Sequence, residues 1–302
     1  MQLKDLLKEY VLELQLQNYS KRTIKGYKNN NLGLLTFLEK EFNIIELEKI
    51  SHQHVKMYVK NKQDAGLSES YINSIIKSMT AFFNYLVKEE YIEKNIIRKI
   101  SFLREPTTLI KIPTDKEIER MLKVYNYSTF LEARNKCIIC TLIDTGVRNL
   151  ELCEIKVDDI KENFIYINKG KGNKQRVVPL SGGLKKVILK YNLMREKYIK
   201  SFYEQEYLFL SRTGKQLTIG TVENIVEQAG IEADVDKSIR CSPHTLRHYY
   251  AQSQLKNGLD LYSLSRILGH SNIKITKRYL QSMQDEDIIV KGMVTSPLNK
   301  LI

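Results

Sequence analysis

Pro243-His244-Thr245-Leu246-Arg247-His248 is the stretch on which the reading of this 302-residue chain turns. Proline fits the first turn of a helix, where its missing N–H has no intrahelical partner to lose. His244 and Arg247 then stand three residues apart on one helix face. From there an imidazole and a guanidinium can address one phosphate. A lone His-x-x-Arg occurs by chance on many helices, so its meaning depends on its surroundings. His248 reads as a packing residue on a turn that faces elsewhere.

Upstream lies Thr145-Gly146-Val147-Arg148-Asn149-Leu150-Glu151-Leu152, in which Arg148 opens a helix after Gly146. Downstream lies Leu268-Gly269-His270, where Gly269 relaxes the backbone at a helix end and leaves His270 at the mouth of the next loop. Tyr279 follows nine residues later in Thr276-Lys277-Arg278-Tyr279-Leu280. A helix over 273–282 is expected to carry it, anchored by Ile273, Ile275 and Leu280. The chain has eighteen tyrosines, so Tyr279 stands out only by its distance from the other motifs. Two guanidiniums, two imidazoles and a phenol suffice to attack a phosphodiester without a metal. The charge that develops on the non-bridging oxygens must be met by fixed donors, and a planar guanidinium holds two such oxygens while staying charged.

Residues 164 to 180 carry a hairpin signal. Phe164-Ile165-Tyr166-Ile167 is a strand, Lys169-Gly170-Lys171-Gly172-Asn173-Lys174 a turn, and Arg176-Val177-Val178-Pro179-Leu180 the return strand. A lysine on such a tip could protonate a departing 5′ oxygen. Alternatively the basic turn binds phosphates without chemistry. No GxxxxGK[ST] string is present, so the turn is not a phosphate-binding P-loop.

Outward from these motifs the chain divides. Residues 1–97 show helical periodicity throughout: Leu3, Leu6, Leu7 and Tyr10 recur at helix spacing, Ser20 and Ser51 are N-caps, and Gly66 is a stop. Residues 98–113 hold two prolines, four basic residues and no clear period, which reads as a linker. Thr114-Asp115-Lys116-Glu117 is a capping box that opens a second domain over 114–284. Helices are expected there at 115–125, 130–145, 149–155, 184–201, 218–230, 244–257 and 261–268. A partly apolar tail, 285–302, ends the chain. The expected fold is mainly α with a small β-hairpin: an N-terminal helical bundle and a mixed α+β domain.

The formal net charge is +13 and the pI about 9.3, a balance that suits a polyanionic partner such as nucleic acid. No run of eighteen apolar residues offers a membrane span, and the mixed-charge N-terminus lacks a signal peptide's apolar core. Cys137 and Cys140 form a CxxC pair with no second pair to complete a zinc site. They read as core residues, and free cysteines fit a reducing cytoplasm.

The order, context and spacing of the motifs resemble the tyrosine recombinase (phage integrase) family, in its Xer-like or short mobile-element branch. The resemblance covers about 114–282 through the four motifs above, and 1–97 through Ser20-Lys21-Arg22-Thr23-Ile24 and Tyr27. It implies that Tyr279 attacks the scissile phosphate to form a 3′-phosphotyrosyl link. Arg148, Arg247 and His270 would stabilise the transition state, His244 would assist proton transfer, and Lys171 rather than Lys174 would be the general acid. Glu151 would orient the site. Lys21, Arg22, Thr23, Lys77, Lys169, Lys174 and Arg176 are candidate DNA contacts. No cofactor or metal is implied. The implied partners are double-stranded DNA and a homo-tetramer on paired sites, with a second recombinase or accessory factor as an option, acting in the cytoplasm on the bacterial nucleoid. The tail could be exchanged between protomers. Two other readings compete: a catalytically idle DNA-binding regulator of the same fold, and a type IB topoisomerase-like relaxase.

Overall fold

The structure is a computed structural model and describes residues 1–106, 110–168, 175–199 and 206–280, with short stretches between 289 and 300. It separates into two compact units, Met1–Thr108 and Leu109–Ile302.

The first unit consists of α1 (Leu3–Leu16), α2 (Lys21–Phe42), α3 (His52–Asp64) and α4 (Glu69–Lys88). Each helix start after α1 is set by a serine: Ser20, Ser51 and Ser68 accept from the backbone N–H three residues on. The apolar stripes meet in a core of Leu34, Leu38, Val55, Met79, Phe82, Phe83 and Leu86, all fully buried. Buried Asn31 in that core donates to the Tyr27 and Ser78 carbonyls. Asn73 on α4 clasps the backbone of Leu103 from both sides, at 2.9 and 2.8 Å, so the chain leaving this bundle is held along α4. Lys21, Arg22 and Lys77 are exposed, and Thr23 closes the cap with Ser20.

The second unit begins at the Thr114–Glu117 capping box with α5 (Asp115–Val124). It continues through α6 (Phe130–Thr145), α7 (Asn149–Glu154), β1 (Phe164–Ile167), β2 (Arg176–Pro179), α8 (Gly182–Ile199), α9 (Ile219–Glu232), α10 (Pro243–Lys256), α11 (Leu261–Leu268) and α12 (Ile273–Lys277). The two strands are antiparallel, with Phe164 opposite Pro179 and Ile167 opposite Arg176. α6 is apolar around most of its girth and is the central post, packed by α5, α8 and α10. Cys137 lies fully buried on it and Cys153 is buried on α7, and burial pushes both thiols up, that of Cys153 to about 11.

The expected helix over 273–282 is shorter than its sequence pattern suggested. α12 ends at Lys277, and the Tyr279 N–H closes back on the Thr276 carbonyl in a tight turn. The expected anchors Ile273, Ile275 and Leu280 are exposed, whereas Thr276 and Tyr279 are buried. Among the described residues no helix is long and apolar enough to cross a membrane.

Candidate active site

Gly146 sets the geometry of the first arginine. It caps α6 with φ +59°, and a Cβ built there would lie 2.3 Å from the Tyr250 ring on α10. This close approach brings α10 against the turn before α7. The Gly146 carbonyl accepts from Arg247 at 2.6 Å. Arg148 follows as the N-cap of α7. Its backbone N–H and one guanidinium nitrogen both reach Glu151, at 2.8 Å each.

The far wall is the C-terminal end of α11, which Gly269 closes with φ +65°. Three guanidiniums converge on three successive carbonyls there. Arg176 donates to Ile267 at 2.7 Å, Arg247 to Leu268 at 2.7 Å, and Arg148 to Gly269 at 3.0 Å. Helix C-termini present unsatisfied carbonyls and partial negative charge, so they hold cations in place. Among the described residues the carboxylate that meets them is Glu151, buried and drawn down to about 2 by its pairing with Arg176 and Arg148, which outweighs the opposing effect of burial. Three guanidiniums facing one carboxylate leave the pocket net positive and suited to an anion.

His270 follows Gly269 directly. Its Nε2 lies 3.1 Å from Arg247 and its Nδ1 2.8 Å from the Thr276 hydroxyl. Tyr279 is buried beside it, with ring centroids 6.3 Å apart. Burial raises the phenol's pKa and Arg247 opposes the rise. Arg247 itself is lowered to about 10 by burial and by Arg148, and so stays charged at neutral pH. His244 lies at the exposed rim of α10, and partial desolvation and the neighbouring arginines lower its pKa. It is therefore neutral near pH 7 and able to take a proton.

Thus Arg148, Glu151, His244, Arg247, His270 and Tyr279 come together. Lys169, Lys171 and Lys174 lie outside the described residues. Arg176, expected as a DNA contact on the hairpin, instead turns inward and is spent on Glu151 and Ile267. Strand alternation carries the signal: Arg176 is two residues before buried Val178 and so shares its face. His248 also differs from expectation. Its ring packs edge-on to His244 with centroids 4.2 Å apart, and lies 5.4 Å from Tyr279. Residues four apart share a helix face, which is the signal for His248. Its Nδ1 is buried without a hydrogen-bond partner. Among the described residues no group of three or more His, Cys, Asp or Glu side chains is placed to hold a metal ion.

Comparison with known proteins identifies the family. The model of the phage integrase family matches residues 112–286, and that of the phage integrase N-terminal SAM-like domain matches residues 7–90. Tyrosine recombinase XerC of Bacillus licheniformis is 29% identical over 287 residues, 93% of each chain. Tyrosine recombinase XerD of Oceanobacillus iheyensis is 30% identical over 262 residues, 86% of this chain and 87% of the relative. In fold, XerH site-specific recombinase, solved in a post-cleavage complex with palindromic difH substrate, superposes with a TM-score of 0.75 at 23% identity, over 93% of this chain and 82% of that one. The helical N-terminal unit, the arginine-lined pocket and its buried tyrosine are those of a chain that belongs to the phage integrase family, among relatives of the Xer tyrosine recombinases.

Proposed function

We propose that the protein is a site-specific DNA recombinase that cuts and rejoins strands through a 3′-phosphotyrosyl intermediate. The observation that carries the reading is the Tyr279 phenol, buried beside His270 and influenced by Arg247, in a pocket where Arg148 and Arg247 face the same helix end. The Tyr279 oxygen attacks the scissile phosphorus and its proton passes to His244. The 5′ oxygen leaves with a proton from Lys171. Arg148, Arg247 and His270 meet the charge on the non-bridging oxygens. A free 5′ hydroxyl then attacks the tyrosyl ester, which conserves the bond energy, so no nucleotide hydrolysis is needed. Two such rounds on paired sites pass through a Holliday junction within a homo-tetramer, with a second recombinase or accessory factor as an optional component. Residues 1–97 and 114–284 grip the duplex on either side of the 98–113 connection, and the 285–302 tail is exchanged between protomers. The net charge of +13 supports the polyanionic partner. The setting is the cytoplasm and bacterial nucleoid, and the task is dimer resolution or integration and excision of a mobile element.

Covalent trapping tests the reading. Wild-type protein and Tyr279→Phe are incubated with fragmented genomic DNA from the source organism, and adducts that survive denaturation are sequenced. Adducts at a shared sequence in wild type alone are expected. Adducts scattered without sequence preference would favour a relaxase, and their absence with DNA binding intact would favour an idle regulator.

A further inference from the structure

We infer that Arg176 is a positioning residue: it locks Glu151, and through it Arg148, to the end of α11, so that the hairpin strand and the phosphate-binding arginines share one register. This rests on the recombinase reading above.

The geometry at Glu151 is saturated. Oε1 accepts from Arg148 Nη1 at 2.8 Å and from Arg176 Nη1 at 2.7 Å. Oε2 accepts from the Arg148 backbone N–H at 2.8 Å and from Arg176 Nη2 at 2.7 Å. A carboxylate offers about four lone-pair sites, and all are used. The third nitrogen of Arg176, Nε, takes the Ile267 carbonyl. One planar fork therefore ties β2 to α7 and α11 together. The pair is shielded, with side-chain exposures of 10% for Arg176 and 2% for Glu151. Gly269 makes room for it: a Cβ there would stand 2.9 Å from Arg176 Cδ and 3.1 Å from Nε.

Removing the fork would leave a buried carboxylate with Arg148 as its one cationic partner among the described residues. Glu151 would then lose its tie to β2 and to the end of α11, and the Arg148 guanidinium that it orients would lose its fixed position. Arg176 touches neither the phenol nor the site where phosphate would sit, so its effect runs through Arg148. Lysine cannot replace it, because a single ammonium cannot span two carboxylate oxygens and a carbonyl. Arg176 also stands two residues after Lys174 in sequence. It thereby fixes where the strand leaving the lysine-bearing segment meets the arginine pocket.

The test has a substrate-free arm and a catalytic arm. In protein with 15N-labelled arginine, Arg148 is expected to show slowly rotating Nη signals in wild type. In Arg176→Gln and Arg176→Lys these should average, with thermal melts confirming that at least one variant folds. Unchanged Arg148 signals would overturn the inference whether or not the protein recombines DNA. The catalytic arm uses a duplex carrying the sequence recovered by trapping, with phosphate or methylphosphonate at the scissile position. Arg176→Gln should lower kcat by roughly 10- to 100-fold on phosphate with little change in KM. A methylphosphonate is uncharged and places less demand on Arg148, so the deficit should shrink to within about threefold there. An equal deficit on both substrates would mark a merely structural role and would also overturn the inference. Failure of the wild type to cleave the duplex would count against the recombinase reading, and the Arg148 signals would then decide the positioning role alone.

Discussion

Arg247 approaches His270 on Nε2, at 3.1 Å. A guanidinium can only donate, so Nε2 accepts and the ring proton resides on Nδ1, which donates to Thr276 Oγ1 at 2.8 Å. Burial and the surrounding arginines agree, holding His270 down to about 4. Without DNA His270 is thus a neutral Nδ1–H imidazole that orients Arg247. Thr276→Val removes the acceptor and leaves that proton buried, at a cost of about 1–3 kcal/mol. The expected outcome is a lower melting temperature and a mixed tautomer population in 15N spectra of the ring. A ring still purely in the Nδ1–H form would show that Thr276 does not fix it.

Acid should unfold the second unit in two stages. His248 and His270 both sit near 4, chiefly through burial, against 6.5 in the unfolded chain. Between these values the unfolded state binds protons that the folded state refuses, so stability falls as pH drops from about 6.5 to about 4. Glu151, held near 2 against 4.5 unfolded, contributes stability that is present above 4.5 and lost as pH falls towards 2. Each tenfold change in proton affinity is worth about 1.4 kcal/mol. Denaturant titrations at pH 7, 5 and 4 should show this decline, and His248→Asn should flatten its upper stage. A pH-independent midpoint from 7 to 4 would contradict the assignment of neutral, half-buried imidazoles.

Gly146→Ala should be among the most damaging small substitutions. It forces a Cβ into a left-handed residue and to within 2.3 Å of the Tyr250 ring, at a combined cost of roughly 2–4 kcal/mol. Because the Gly146 carbonyl also anchors Arg247, activity should fall more than stability alone explains. Gly220→Ala is the control. It lies in α9 with open space around its Cβ position and should gain about 0.5–1 kcal/mol from helix propensity. Equal melting temperatures for the two variants would refute the packing argument.

The sequence carried much of this site because its parts are local. A helix start at Pro243, a glycine closing α11 and a capping box at Thr114 each fix backbone within a turn of themselves. What it hid was tertiary. Arg176 is one basic residue among several near a hairpin turn, and only the buried carboxylate of Glu151 draws it inward. Tyr279 has helical neighbours, but the Thr276 hydroxyl bond to His270 helps hold the chain inward and coincides with the end of the helix at Lys277. His248 shares the His244 face, since four residues return a side chain to the same side of a helix.

The N-terminal bundle should supply affinity without chemistry. Lys21 and Arg22 at the start of α2 are exposed, as is Lys77 on α4, whose ammonium lies 5.8 Å from the Phe102 ring. Cations that neutralise phosphates release counterions, so the logarithm of affinity falls with the logarithm of salt at about 0.9 per phosphate neutralised. Replacing Lys21 and Arg22 with glutamine should weaken binding to any duplex and lower the salt slope by about one for each phosphate left without its cation. Cleavage of DNA once bound should change little, because the Tyr279 pocket is untouched. Fluorescence anisotropy from 50 to 300 mM salt (roughly the range over which such contacts are screened) would measure the slope. An unaltered slope would remove Lys21 and Arg22 from the DNA interface, and a weakening confined to one DNA sequence would instead make them readers of bases.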